Sequence, residues 1–245
     1  MQDQLLGTTL PVLSISLEPG ESVVAEAGEF SWMTDSIQMT TDGGNLAADS
    51  ASGSLLSTYT AQGGTGTVAF APQLPGSVLP VDVAPGREYL VHRHGFLAGT
   101  TGIELAADFL RPFAAGVFAA EGFALRRISG GGRAWVQLAG EAVRFELAPS
   151  RSLRVHPAHV GMFESSVAFQ MVRVEGIANR YFDGAAHHFA VLSGPGNVWL
   201  QSTPLPVLAI SLTPYLRHAV THSCQGGSPA EAMSSAARPG EPRPR

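Results

Sequence analysis

The chain has 245 residues, 44% hydrophobic and 14% charged, with 28 Gly and a formal net charge of −5. All 15 basic residues are Arg, and the tail from Arg217 onward holds four Arg against two Glu, which leaves the rest of the chain near −7. That balance argues against a nucleic-acid binder, whose affinity rests on neutralising phosphates, while weak helix signals and abundant Gly indicate a turn-rich β protein.

Met1-Gln2-Asp3-Gln4 has neither the basic nor the apolar region of a signal peptide, and no stretch approaches the ~20 apolar residues of a membrane span. The first apolar strand, Val12 to Leu17, closes at Pro19. Corresponding strands at Val78 to Val83, Ala142 to Leu147 and Val207 to Leu212 close at Pro85, Pro149 and Pro214, in steps of 66, 64 and 65. Leu13, Ile15 and Leu17 match Leu79, Val81 and Val83, then Val143, Phe145 and Leu147, then Leu208, Ile210 and Leu212, with Ser16, Asp82 and Glu146 between them. Period-two alternation predicts half-buried antiparallel strands.

Each of the first three Pro anchors is followed by a turn, at Gly20-Glu21, Gly86-Arg87 or Ser150-Arg151. A second strand then carries Val23 and Ala25, Tyr89 and Val91, or Leu153 and Val155. A short third strand follows, then a fourth through Ile37–Met39, Ile103–Leu105 or Val167–Phe169. Two last strands meet at Gly-rich turns ending in Gly66, Gly132 and Gly196, where Gly supplies the positive φ of tight hairpins. The Pro, Gly and Ile/Val series share one period, the signature of internal repetition.

The predicted fold is therefore all-β: three tandem β-sandwich repeats of roughly six strands each, at about 10–75, 76–139 and 140–203, around an approximate threefold axis. Leu205-Pro206-Val207-Leu208 nearly copies Leu10-Pro11-Val12-Leu13, which predicts a closing strand over 204–216. It would pair near Val12–Leu17 and cover a sheet edge. Residues 1–216 would form one unit, since such small blocks need a shared core. Residues 217–245, dominated from Gln225 by Gly, Ser, Ala, Pro and Arg, read as a disordered tail. The apolar stretch Phe109 to Leu125 is broken by Arg111, Pro112 and Glu121 and reads as a core-covering connection rather than a membrane contact. A single Cys224 excludes an intramolecular disulfide and makes a reducing cytoplasm the expected location.

His92-Arg93-His94, on a strand, has the form of the first half of a cupin metal motif. The following carboxylate is missing, because Ala98 and Gly99 occupy its place and Glu104 lies too far along. His156 holds the repeat position of His92, His159 is near it, and Glu26 has the same phase in the first block, so a metal-binding cluster of His92, His94 and His156 is the chemical alternative. Surface or turn histidines are the simpler reading and the preferred one. His187-His188 is a weaker pair, since strand neighbours point to opposite faces. The Gly turns are followed by strands, not by the helix N-termini that cradle phosphates, and Ser165-Ser166 has no motif tying it to a base. No catalytic residue, metal or cofactor is assigned.

Three stretches, Pro19-Gly20-Glu21-Ser22 through Phe30-Ser31-Trp32-Met33, Gly86-Arg87-Glu88-Tyr89 through Gly95-Phe96-Leu97, and Gly194-Pro195-Gly196-Asn197-Val198-Trp199-Leu200-Gln201-Ser202, resemble the altered-inheritance-of-mitochondria protein 24 family. The resemblance covers about residues 4 to 216. It implies three units per chain with a fold similar to the tryptophan RNA-binding attenuation protein, related to the double-stranded β-helix. For mitochondrial members it implies a part in inner-membrane organisation and respiratory-complex maintenance. It supplies no catalytic residues and no particular activity for bacterial members. Relatives often carry a long Gly-rich, hydrophobic insertion in the first block, where this chain has only Gly43 to Ser54.

The leading functional expectation is a non-enzymatic scaffold or interaction module with protein partners, a homo-oligomer among them, and without nucleic acid or peripheral membrane contact. A cupin-like small-ligand or metal-binding protein is the alternative. RNA binding, which rests on fold analogy alone, is weaker still.

Overall fold

The computed structural model describes residues 1–26, 28–41, 56–111, 122–173 and 188–223. Strand β1 (Gln2–Leu6) precedes three blocks of six strands. The first block is β2 (Val12–Leu17), β3 (Ser22–Glu26), β4 (Phe30–Met33), β5 (Ile37–Thr40), β6 (Leu56–Ala61) and β7 (Gly66–Phe70). The second is β8 (Gly76–Val83), β9 (Tyr89–His92), β10 (Phe96–Thr100), β11 (Ile103–Arg111), β12 (Phe123–Gly130) and β13 (Gly132–Ala139). The third is β14 (Ala142–Leu147), β15 (Ser152–Val155), β16 (Val160–Glu164), β17 (Ala168–Arg173), β18 (His188–Ser193) and β19 (Gly196–Gln201). The described residues are all-β apart from one short helical turn, Pro157–His159, and a C-terminal helix.

Alternation does what the sequence predicts in β2, where Leu13, Ile15 and Leu17 are buried and the residues between them half-buried. The Gly and Ile/Val markers explain one another. A Cβ on Gly66 would lie 2.5 Å from Ile37 Cδ1, and one on Gly196 would lie 2.8 Å from Val167 Cγ2, so in the first and third blocks the apolar marker packs onto the glycine of its own block, whereas Gly132 of the second faces Thr100.

Strand pairing repeats as the markers do. The third strand of each block meets the sixth through the same bulge: Phe30↔Phe70 then Trp32↔Ala69, Phe96↔Val136 then Ala98↔Trp135, and Val160↔Leu200 then Met162↔Trp199. Blocks are linked by pairing the second strand of one to the third strand of the next, β3 to β10 and β9 to β16. The sheets that result are β5-β6-β3-β10-β13-β8 and β11-β12-β9-β16-β19-β14, flanked by β1-β2-β7-β4 and β15-β18-β17. Cores are shared accordingly: Leu97, Ala98 and Trp135 of the second block join the first block's cluster, and Leu90, Phe123 and Leu125 join the third's.

Two sequence expectations are corrected. Residues 204–216 do not form a closing strand: Leu205–Ser223 is helix α1, and it carries Pro206 in its first turn and the fourth Pro anchor, Pro214, within it. A short apolar run satisfies both periods, and Leu205, Leu208, Ala209 and Leu212 suit a helix as well as Leu208, Ile210 and Leu212 suit a strand. The edge such a strand would have covered is already occupied, because β1 pairs with β2 along its length, Gln2↔Ser16 to Leu6↔Val12. With both neighbours of β2 in place, the C-terminal segment satisfies its backbone locally. The helix also runs past residue 217, where the disordered tail was expected to begin; residues 224–245, Cys224 included, lie outside the described residues.

The compact unit is Met1–Val207, with a separate unit over Leu208–Arg245. Among the described residues no strand pairing links the third block back to the first, so the pairing forms a row of three blocks and does not itself supply the expected threefold axis.

Candidate functional site

Buried polar residues gather at the two links between blocks. At the first link, Glu26 ends β3 and forms a buried ion pair with Arg126 on β12, which also donates from Nη1 to the Arg93 carbonyl at 3.4 Å. Burial pushes the Arg126 guanidinium down from its ordinary range, yet an arginine keeps its charge in proteins, and the Glu26 carboxylate answers it. Beside them Gln137 Nε2 donates to Glu29 Oε1 at 3.1 Å. Glu29 Oε2 is buried without a hydrogen-bond partner among the described residues. Burial raises the Glu29 carboxyl above its usual range, with the Gln137 bond acting the other way.

At the second link the repeat places His92 where Glu26 stands and Gly95 where Glu29 stands. A pocket of about 70 Å³ opens there, lined by His92, Arg93 and His94 on one side and by Phe123, Val160 and Gln201 on others. His92 Nδ1 accepts from the His94 N–H at 3.3 Å, which leaves the neutral ring's proton on Nε2. Nε2 is buried without a hydrogen bond of good geometry among the described residues. Burial first, then the neighbouring His94, lowers the His92 imidazole to about 4, against a smaller opposing effect of the Gln137 backbone. Gln201, the repeat counterpart of Gln137, accepts from the Ala139 N–H at 3.1 Å and donates to the Ala158 carbonyl at 2.9 Å.

The histidines singled out in the sequence are thus placed, but not as a ligand set. His92 and His94 are near neighbours, with ring centroids 6.5 Å apart. His156 instead caps the turn at Pro157–His159, its Nδ1 accepting from the Ala158 N–H at 3.3 Å, and His159 Nδ1 donates to the Gln201 carbonyl at 2.8 Å. Among the described residues no group of three His, Cys, Asp or Glu is positioned for a metal ion. His188 opens β18, and His187 lies outside the described residues. Sequence reasoning missed Arg126, Glu29 and the two glutamines. The 64-residue step from Gln137 to Gln201 was the available signal, since a polar side chain repeated in phase on otherwise apolar strands needs a fixed partner when buried.

What the geometry defines is a class: an all-β protein of sheet-linked blocks whose buried polar groups serve the links between them. The chain belongs to the family described as mitochondrial biogenesis AIM24, which matches residues 4–203. The X-ray structure of a protein from Streptococcus pyogenes is similar over 87% of this chain and 99% of its own, with a TM-score of 0.72 and 19% identity, a likeness of fold. No curated protein matches the chain. No helix among the described residues is long and apolar enough to cross a membrane.

Proposed function

We propose that the protein is a non-enzymatic interaction module, a rigid scaffold that presents its outer sheet surfaces to protein partners. The observation that carries this reading is the placing of large apolar side chains in water at both ends of the row of blocks. Phe30, Trp32, Met33 and Met39 are exposed on β4 and β5 of the first block, and Val143, Phe145, Val172 and Phe189 on β14, β17 and β18 of the third. Scattered exposed hydrophobics are ordinary, but grouped ones mark contact surfaces. The polar groups at the links support the same reading, since most are already spent on one another. The lone Cys224 suits a reducing compartment such as the cytoplasm.

Crosslinking with mass spectrometry on the full chain in extracts of its native host tests this. Crosslinks to a protein partner, a further copy included, should map to the β4–β5 or β17–β18 surfaces. Absence of any such partner, together with about one equivalent of a transition metal per chain that is lost in His92→Ala with His94→Ala, would replace the scaffold by a ligand-binding protein.

A further inference from the structure

We propose that the pocket at the second link binds a small aliphatic carboxylate, its hydrocarbon chain held against Phe123 and Val160 and its carboxylate against Arg93. The site is separate from the outer β4–β5 and β17–β18 surfaces, so the proposal goes beyond the interaction-module reading and does not depend on it.

The second link is hollow for reasons that the repeat makes plain. At the first link, the space between blocks takes the Glu26–Arg126 ion pair and the Glu29–Gln137 bond. At the second, Ala190 stands in the position of Arg126 and Gly95 in that of Glu29, so two long side chains are missing together. His92 lies opposite Leu125 on β12, which turns its ring to the face that carries Phe123 and Leu125, toward the core of the third block. What is left is a pocket of about 70 Å³, with room for roughly five water-sized groups at ~10–15 Å³ each.

The chemistry of the walls decides what fits. Phe123, Ala158 and Val160 are buried apolar side chains on this lining. Gln201 is held to the backbone, by the Ala139 N–H on Oε1 and by the Ala158 carbonyl on Nε2. The His92 imidazole is neutral near pH 7, because burial lowers it to about 4. Water in such a hollow finds few partners, and an empty one forfeits dispersion contacts along its whole lining. A run of methylenes suits it better. On the side that meets water stand Arg93, half-buried, and His94, exposed, and the described lining holds an arginine but no Asp or Glu. Arginine keeps its charge in proteins, and its planar fork matches a carboxylate. About five carbons behind the carboxyl group fill the volume, which makes hexanoate the probe.

Calorimetric titration of the full chain with straight-chain carboxylates tests this. Hexanoate should bind saturably, at about one equivalent per chain. From propionate to hexanoate the affinity should rise about fourfold per methylene, the increment for burying a CH₂ group, and octanoate should gain nothing further. Methyl hexanoate carries the same chain without the charge and should bind about tenfold more weakly, which separates a free acid from an esterified acyl group. Ala158→Leu, which fills the hollow, should abolish binding. Arg93→Gln should weaken hexanoate about tenfold while leaving methyl hexanoate unchanged, and it reads the site even where Ala158→Leu fails to fold. No saturable binding of hexanoate, an affinity indifferent to chain length, equal binding of the methyl ester, or undiminished binding by Arg93→Gln would each overturn the proposal. None of these results bears on partner binding at the outer surfaces.

Discussion

The two links between blocks share a backbone and differ in most of the polar side chains placed on it. β3 meets β10 and β9 meets β16 in the same register, and a glutamine stands at the same point of β13 and β19. At the first link the space is taken by charge on charge, Glu26 with Arg126, and by Glu29 with Gln137. At the second, His92 replaces Glu26, no arginine comes from the partner strand because Ala190 stands in the position of Arg126, and a pocket remains. Main-chain hydrogen bonds and apolar packing suffice to hold the blocks together. The polar filling varies, and at each link a buried atom, Glu29 Oε2 at the first and His92 Nε2 at the second, lacks a hydrogen-bond partner among the described residues.

Breaking the first link at its charges should have the largest effect. Arg126→Leu leaves Glu26 buried and uncompensated, and Glu26→Leu does the same to Arg126; each should cost about 3–5 kcal/mol in denaturant unfolding. Glu26→Leu with Arg126→Met should recover most of that loss, since a well-packed apolar pair replaces an ion pair without leaving a lone charge.

The second link should show itself through acid. The His92 ring titrates near 6.5 when unfolded and at about 4 when folded, so between those values the unfolded chain binds the additional proton. The stability contribution is complete above pH 6.5 and is lost as the pH falls to 4, by up to about 3 kcal/mol at ~1.36 kcal/mol per pH unit. Glu29, whose folded carboxyl is raised, acts in the opposite sense. Comparing unfolding at pH 7 and pH 4.5 for the parent and His92→Gln isolates the histidine: the variant should lose less stability on acidification, and an equal loss would remove the assignment.

The paired glutamines sharpen the contrast further. Gln201→Leu deprives the Ala139 N–H and the Ala158 carbonyl of partners and should lower stability by about 2 kcal/mol. Gln137→Leu affects only the bond to Glu29 and should do less near neutral pH, while raising the Glu29 carboxyl further. Thermal melts of the two variants side by side check the order.

The smallest expected effect lies in the turns. Gly20, Gly86 and Ser150 occupy one repeat position and all have positive φ, at 86°, 78° and 65°. Only the third block places a Cβ in that region, so Ser150→Gly should stabilise the chain by about 0.5–1 kcal/mol. Gly86→Ser should destabilise it by a similar amount.

Much of the local order was legible without coordinates. The Pro series at 19, 85 and 149, the Gly series at 66, 132 and 196 and the markers Ile37, Ile103 and Val167 locate six strands per block, because turns and alternation depend on neighbours a few residues away. Histidine chemistry was legible only as residue types. His92 and His94 are adjacent to each other in the fold, while His156 is occupied with capping its own turn, and no spacing rule separates those outcomes.

What the sequence by itself determined is the repeat, its phase, the all-β class and the strands within each block, since each follows from short-range periodicity and turn chemistry. Only the tertiary structure decided which strand lies beside which across blocks, that Arg126 reaches Glu26 from 100 residues away, and that β1 rather than residues 204–216 covers β2. The physical reason is that an edge accepts any strand of suitable pattern. Which one takes it depends on what the rest of the chain has already paired, and once β1 holds that place the C-terminal segment meets its backbone hydrogen bonds as a helix.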